Sequence, residues 1–452
     1  MNMRAEKYRP WLAGMALSLY LCSLPTTAEA ADLLDIYHQA QASDPTFAAA
    51  RHALEATQQR LPQARAGLLP VISASSGETR TQADVGFNNA PTEQRNTRNR
   101  NWAVQLTQPL FRIQNIHAYA EAQATVEQAV AQFGQAQQDL ILRAAQAYFD
   151  VAVAEETIGV ADAQVNALSE QWTLTKRSFK AGTRAQTDVH EALSRLGVAK
   201  AQRVAAQNDL EVRQAELEKL IGSWPDALAK LGATAEAPHL EPATPREWIA
   251  QAWEHHPVVL TRQAALTAAE ATIRKNRAEH LPTLDFTVSY GSNSASGSLT
   301  TPADYTQKSA AQTAGLQLTV PLFAGGATHA RVTEAIARRY QAAADLEAAR
   351  RQAATEARQA FAGVVNGLAQ TEALASAVES GQIAVEGNRR GYRVGIRINA
   401  DVLNAEQQLY AAQRDWTKAR YDTLLQGLKL KAAAGVLDEA DLVAINRLLQ
   451  AR

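Results

Sequence analysis

Cysteine is almost absent from this chain. Cys22 is the only one among 452 residues, so neither an intrachain disulfide framework nor a cysteine-built zinc site can form. Aromatic residues are scarce at 6%. That excludes an aromatic-rich core and, with alanine and glutamine recurring throughout, points to long helices meeting through small residues. A basic excess is missing as well: 45 Lys and Arg against 46 Asp and Glu leave a formal charge of −1, which argues against a nucleic-acid partner. Beyond Leu24 no run approaches the ~18 apolar residues of a transmembrane helix. A β-barrel is not excluded by this, because its membrane signal is far weaker. No G-x-S-x-G elbow, HExxH or P-loop occurs. His255 and His256 are adjacent rather than at the i,i+4 spacing that lets two ligands share a metal, and they have no visible role before Pro257. No catalytic residue, cofactor or metal site is expected.

What is present begins with an export signal. Arg4, Lys7 and Arg9 precede an apolar run from Trp11 to Leu24, and Ala28-Glu29-Ala30 supplies a small-x-small cleavage site. Residues 1–30 read as a removed secretory signal. A lipobox requires a small residue before its cysteine; here that residue is Leu21, so lipid attachment is rejected.

The chain repeats itself. Asp44-Pro45 recurs as His256-Pro257, Leu69-Pro70 as Leu281-Pro282, and Gln108-Pro109-Leu110-Phe111 as Val320-Pro321-Leu322-Phe323, each shifted by 212 residues. Phe179-Lys180-Ala181-Gly182-Thr183-Arg184 answers to Tyr392-Arg393-Val394-Gly395-Ile396-Arg397, and Thr187-Asp188-Val189 to Ala400-Asp401-Val402, both shifted by 213. A tandem duplication follows, with repeats over 31–243 and 244–452. Each has short helices, two strands, a very long helix, a Gly turn, a second long helix and an irregular close. The expected segments are strands at 71–80, 101–110, 283–292 and 311–320, helices at 113–180, 187–221, 327–393 and 400–435, and closing pieces at 223–241 and 436–452. Thr244-Pro245-Arg246-Glu247 reads as an N-capped helix start with a capping box.

From Val126, alternating steps of four and three residues reach Val130, Phe133, Leu140, Ala144, Val151, Ala161, Val165, Leu168, Trp172 and Phe179. Such a 3.5-residue seam imposes left-handed coiling. A helix over 113–180 would span ~100 Å. Helices alone are equally consistent with a solvated coiled-coil stalk.

The strands point to a membrane. Trp102, Val104 and Leu106 alternate with Ala103, Gln105 and Thr107; Leu284, Phe286, Val288 and Tyr290 with Asp285, Thr287 and Ser289; Leu316, Leu318 and Val320 with Gln317 and Thr319. Val71 to Arg80 alternates poorly. Runs of ~10 residues with one apolar face suit tilted strands between lipid and lumen. The polar stretches Thr81–Arg100 and Asn293–Ala310 then read as outer loops. A sheet covered by helices is the alternative. Four strands cannot close alone, and an open edge cannot sit in lipid. Two chains would give eight strands and a filled interior, three would give twelve and a channel.

With its signal, duplication, two strand pairs and the segment Tyr392-Arg393-Val394-Gly395-Ile396-Arg397…Asp401-Val402-Leu403, the chain resembles the TolC family of outer-membrane channel-tunnel proteins over its whole mature length. The resemblance implies a mixed α/β homotrimer: a 12-stranded barrel in outer-membrane lipid, continued by a coiled α-helical barrel across the periplasm. It also implies a periplasmic adaptor and an inner-membrane ABC transporter or RND-type pump as partners, and no enzymatic activity. Carried over by position, Tyr392 and Arg397 face Thr187 and Asp188 in a periplasmic gate. Asp401 forms a constriction ring in which Asn404 replaces a second aspartate. Ala181-Gly182-Thr183 and Val394-Gly395-Ile396 are the turns that mesh with the adaptor. The implied function is an exit duct for type I protein secretion. The alternatives are multidrug efflux or, from a different class, a periplasmic coiled-coil adaptor.

Overall fold

Local chemistry starts each helix. In the computed structural model, which describes residues 31–86, 88, 91–225, 227–232, 241–301 and 305–450, Asp32 caps helix α1 (Leu33–Ser43) in a reciprocal box with Asp35. Asp44 caps α2 (Pro45–Gln58), whose first residue is a proline that has no N–H to leave unpaired. A short α3 (Arg60–Ala66) leads into strands β1 (Val71–Val85) and β2 (Glu93–Phe111). Then come α4 (Ile113–Lys180), α5 (Gln186–Ile221) and the two-residue strand β3 (Lys230–Leu231). The second repeat follows the same order: α6 (Pro245–His255), α7 (Pro257–Ala278), β4 (Thr283–Ser296), β5 (Thr306–Thr319), α8 (Ala327–Arg393) and α9 (Asn399–Ala434). It closes with α10 (Glu439–Asn446) and β6 (Leu449–Gln450), which pairs with β3. The signal expected at 1–30 and residues 233–240 of the first closing piece lie outside the described residues.

Three local readings need correction. Thr244 is the N-cap of α6, but its hydroxyl donates to the Glu247 carboxylate at 2.7 Å instead of accepting a backbone N–H. His256 does have a role: its Nδ1 accepts the Val258 N–H at the start of α7. The 436–452 piece is not irregular, because Asp438 and Asp441 form a capping box that launches α10.

The helices α4 and α8, of 68 and 67 residues, each rise ~100 Å at ~1.5 Å per residue. Toward the strands α4 packs against α7, and toward the far end against α5; α8 packs against α9 there. The expected seam holds in the middle and far parts of α4, where Leu140, Ala144, Val151, Ala154, Ala161, Val165 and Leu168 are buried. It fails at its two ends, where Val130 and Phe179 are exposed. Midway, burial widens to adjacent pairs, Leu140–Ile141, Ala144–Ala145 and Tyr148–Phe149. There α1, α9, α10 and the β3–β6 ladder wrap α4 in the largest apolar cluster of the described residues. Tyr148 donates to the Ala229 carbonyl at 2.5 Å and Tyr421 to Glu156 at 2.7 Å; burial pushes both phenols well above their ordinary range.

The duplication extends to a polar pair at this level, charged in the first repeat, while burial holds the His256 imidazole of the second below its ordinary range. Asp44 accepts from Arg143 of α4 at 2.5 Å. At the equivalent places His256 lies 3.5 Å from Glu356 of α8. The two N-caps have exchanged a carboxylate for an imidazole, and their partners have exchanged sign.

The four long strands form one antiparallel sheet in the order β1-β2-β4-β5. Its register aligns Ile72 with Leu106, Leu106 with Val288 and Val288 with Ala314 on one face, and Val71 with Thr107, Thr107 with Thr287 and Thr287 with Gly315 on the other. Strands exceed the expected ten residues: β1 runs to Val85, β2 starts at Glu93, β4 reaches Ser296 and β5 starts at Thr306. Much of the two polar stretches read as loops is therefore strand. Hydropathy could not show this, because a strand with both faces in water needs no apolar face. Among the described residues the outer edges of β1 and β5 have no strand partner.

Where strand meets helix, Arg112 grips Asp285 bidentately, Nε to Oδ1 at 2.8 Å and Nη2 to Oδ2 at 2.6 Å. Asp285 is buried and Arg112 about one-third exposed. Asp285→Ala leaves the Arg112 guanidinium without its carboxylate where β2 passes into α4. It is expected to cost about 2 kcal/mol per chain, read as a lower dissociation temperature of the detergent-extracted assembly.

Candidate functional site at the helical tip

The far ends of the two repeats are near copies. In the first, Ala181 N–H donates to Arg177 O, Gly182 to Phe179 O and Thr183 to Ser178 O; in the second, Val394 donates to Arg390 O, Gly395 to Tyr392 O and Ile396 to Gly391 O. Gly182 and Gly395 have φ of +73° and +82°. That left-handed conformation ends α4 and α8 at little steric cost only for glycine. The turn Val394-Gly395-Ile396 presents apolar side chains to water, with Val394 71% and Ile396 80% exposed; Ala181, Gly182 and Thr183 are exposed as well.

Polar side chains join the α4–α5 pair to the α8–α9 pair at this tip. Arg184 lays its guanidinium over the Tyr392 ring, 4.3 Å from the centroid, and its Nη2 donates to the Tyr392 carbonyl at 3.0 Å. Gln171 donates to buried Asn399 Oδ1 at 2.7 Å, and Asn399 Nδ2 reaches the Asp188 carbonyl at 3.5 Å. Just above, Val165, Leu168, Leu196, Ala199 and Leu403 form an apolar plug between α4, α5 and α9.

The expected gate residues are assembled differently within one chain. Tyr392 is buried and its hydroxyl has no hydrogen-bond partner among the described residues. Arg397 lies 3.8 Å from Asp401 of the next turn. Thr187 is exposed in the first turn of α5, and Asp188 is held through its carbonyl, not its carboxylate. Asp401 also accepts the Ile398 N–H. Asn404 accepts from Arg195 Nη2 of α5 at 3.1 Å.

The sequence assigned no role to Gln171, Asn399 or Arg389, and Arg184 stood out there only as part of the repeated turn. Arg389 grips Glu406 at 2.8 Å across α8 and α9. Glu406 is 1% exposed, and its second oxygen has no hydrogen-bond partner among the described residues. Burial raises its carboxyl above the ordinary range despite Arg389. A raised folded value means the native state favours the protonated form. That contribution to stability is therefore greatest at low pH and lost as pH rises through the folded value. Glu406→Gln is expected to flatten this acid-side dependence in a pH series of thermal melts and to raise stability at pH 7.

Among the described residues no cluster of three His, Cys, Asp or Glu is placed to hold a metal, and no helix is long and apolar enough to cross a membrane. The geometry is that of a conduit wall: an amphipathic four-stranded sheet on two ~100 Å helical rods ending in paired turns. Known proteins agree. The outer membrane efflux protein family matches residues 36–223 and 248–436, one match per repeat. The alkaline protease secretion protein AprF of Pseudomonas aeruginosa is 34% identical, covering 98% of this chain and 92% of that protein. The outer membrane protein TolC of Escherichia coli is 30% identical over 98% of this chain and 89% of that protein. The solved structure of CusC superposes with a TM-score of 0.77 at 18% identity, over 95% of this chain and 99% of that one, a likeness that bears on fold alone. The chain belongs to the outer membrane efflux protein family, the TolC-type channels, and is a channel component of the Gram-negative outer membrane with a periplasmic tunnel, not an enzyme.

Proposed function

We propose that three copies of this chain close one duct, which passes proteins from an inner-membrane ABC transporter of a type I secretion system through periplasm and outer membrane in a single passage. The carrying observation is the pair of unpartnered edges, β1 with 15 residues and β5 with 14. In lipid their backbone groups need partners, and β5 of one copy against β1 of the next supplies them. Three copies make twelve strands and leave a bore, where two would leave an interior nearly filled by side chains. Likeness to AprF, named for protease secretion, favours protein cargo over small-molecule efflux.

In this reading the exposed turns Ala181-Gly182-Thr183 and Val394-Gly395-Ile396 meet a periplasmic adaptor, and Asp401 forms a three-fold acidic ring. The gate network of Thr187, Asp188, Tyr392 and Arg397 is completed across subunit boundaries by the exposed Arg397 guanidinium, which is free to reach a neighbouring copy. The test is secretion. Expressed in a strain lacking its own exit duct, together with a protease-type ABC transporter and adaptor, the chain should restore protease to the medium and run as a heat-modifiable trimer. Protease held in the periplasm or cytoplasm despite a trimeric channel would exclude the secretion role. A detergent-extracted monomer would exclude the duct itself.

A further inference from the structure

Alternation along the strands fixes which charges leave the barrel wall, and at what height. The face carrying Trp102, Val104 and Leu106 of β2 also carries Arg100 and Arg98. Register places Arg100 opposite Glu78 and Ser294, Ser294 opposite Lys308, and Arg98 opposite Arg80. Arg80, Arg98, Arg100, Lys308 and Glu78 therefore stand on the apolar, outward face. They occupy the two rows beyond Trp102 in the direction of the hairpin ends.

The height follows from the strand. Phe111, exposed at the helix end of β2, lies nine residues from Trp102. That is ~30 Å along the strand, or ~23 Å perpendicular to the membrane at a tilt of ~40°. A barrel's apolar band is ~25 Å tall and bordered by aromatic girdles. Trp102 and Tyr290, in an edge-on contact at 5.5 Å, are that upper border. The hairpins point away from the periplasmic helices, so the basic rows sit at the headgroups of the outer leaflet.

The charges there do not balance. Glu78 alone faces three guanidinium groups: it accepts from Arg80 Nε at 2.8 Å, from Arg98 Nε at 2.8 Å and Nη2 at 3.0 Å, and from Arg100 Nε at 2.8 Å. Among the described residues no other hydrogen bond occupies the remaining nitrogens of Arg80 and Arg100, which are 71% and 56% exposed. Lys308 adds a fourth cation, and the next acid on this face is Asp84, three rows beyond Glu78 toward the loop. One carboxylate splaying three planar forks leaves donor pairs aimed outward, the geometry that takes phosphate oxygens bidentately.

We propose that this face of each chain binds the phosphorylated headgroup of an outer-leaflet glycolipid, with Arg80, Arg98, Arg100 and Lys308 holding its phosphates above the Trp102–Tyr290 girdle. The inference rests on strand register and on outer-membrane location, not on cargo or on the number of chains in the duct.

The experiment titrates the purified full-length assembly in neutral detergent with bis-phosphorylated lipid A, with its dephosphorylated form and with inorganic phosphate. Native mass spectrometry reads bound lipid, and thermal shift gives the half-saturation point. Phosphorylated lipid A should be retained and should raise the melting temperature, and the other two should do neither. R98S/R100S/K308S should weaken retention about a hundredfold. E78Q removes the one competing anion and should tighten it, whereas a purely structural Glu78 would only lower the melting temperature. Equal retention of dephosphorylated lipid, equal half-saturation by the triple variant or weakened binding by E78Q would overturn the proposal. Saturation by inorganic phosphate alone would make the cluster an ion site and not a lipid site. The lipid comparison on the unaltered chain and the E78Q arm both stand if the triple variant fails to fold.

Discussion

Replacing Arg184 and Asn399 together by alanine is expected to convert the duct from mostly closed to mostly open. Both side chains tie the α8–α9 pair to the α4–α5 pair at the tip, one through the Tyr392 ring and carbonyl, the other through Gln171 and the Asp188 carbonyl. A half-buried cation–π contact with a charged hydrogen bond, plus one buried amide pair, is worth about 2 kcal/mol per chain. Three chains make about 6 kcal/mol, and about 5.5 kcal/mol moves a two-state equilibrium from 1:99 to 99:1. The contacts count only if the open state lacks them, as it does when the two helix pairs separate. Single-channel recording in planar bilayers should show long openings of the double variant where the parent is nearly silent. Lys180→Ala, an exposed neighbour on the same turn, should leave the record unchanged. A silent double variant would mean that the closed tip is held by the remaining ties, Arg195 to Asn404 and the apolar plug within the chain or contacts between chains, and Arg397→Ser tests the last of these.

That contrast shows where sequence reading stops. The Tyr392–Arg397 segment and its upstream copy are visible in one dimension because turns need glycine and repeats keep their spacing. Which side chain then meets which is a matter of helix rotation, and a single sequence does not encode it at the precision of one residue. Arg184 and Asn399 lie within a few residues of the motif, yet nothing in their spacing says that one covers Tyr392 and the other reaches Asp188. The strands show the same limit in another form. Trp102, Val104 and Leu106 were legible because lipid demands one apolar face. The outer half of β2, from Glu93 to Asn101, was not, because water accepts either face. At the middle of α4 the seam broadened into the pairs at 140–149 for a similar reason: a third and fourth element, α10 and the β3–β6 ladder, pack there, and the period of one helix cannot announce its neighbours.

A two-residue test of sheet orientation should give the other large effect. Leu316 and Gln317 are neighbours on edge strand β5, one on the apolar face and one on the polar face. Leu316 is 65% exposed in the isolated chain and aligned with Phe286, so lipid is the environment that remains for it. Leu316→Lys puts an ammonium group in the apolar band, at about 2–4 kcal/mol per chain near the midplane, or about 6–12 kcal/mol for three chains. Assembled, heat-modifiable channel should vanish from the outer-membrane fraction. Gln317→Lys moves the same charge one residue, onto the face shared with Asp285. Lumen substitutions tune selectivity rather than stability, so that variant should assemble normally and shift reversal potentials toward anions. Equal assembly of both variants would show that the two faces do not separate lipid from lumen. Loss of both would show that β5 tolerates no added charge on either side. Only the split outcome fits a strand whose alternation marks the boundary between membrane and bore, and the same parity places Arg98, Arg100 and Lys308 outside the wall and Asn101, Asn293 and Ser309 inside it.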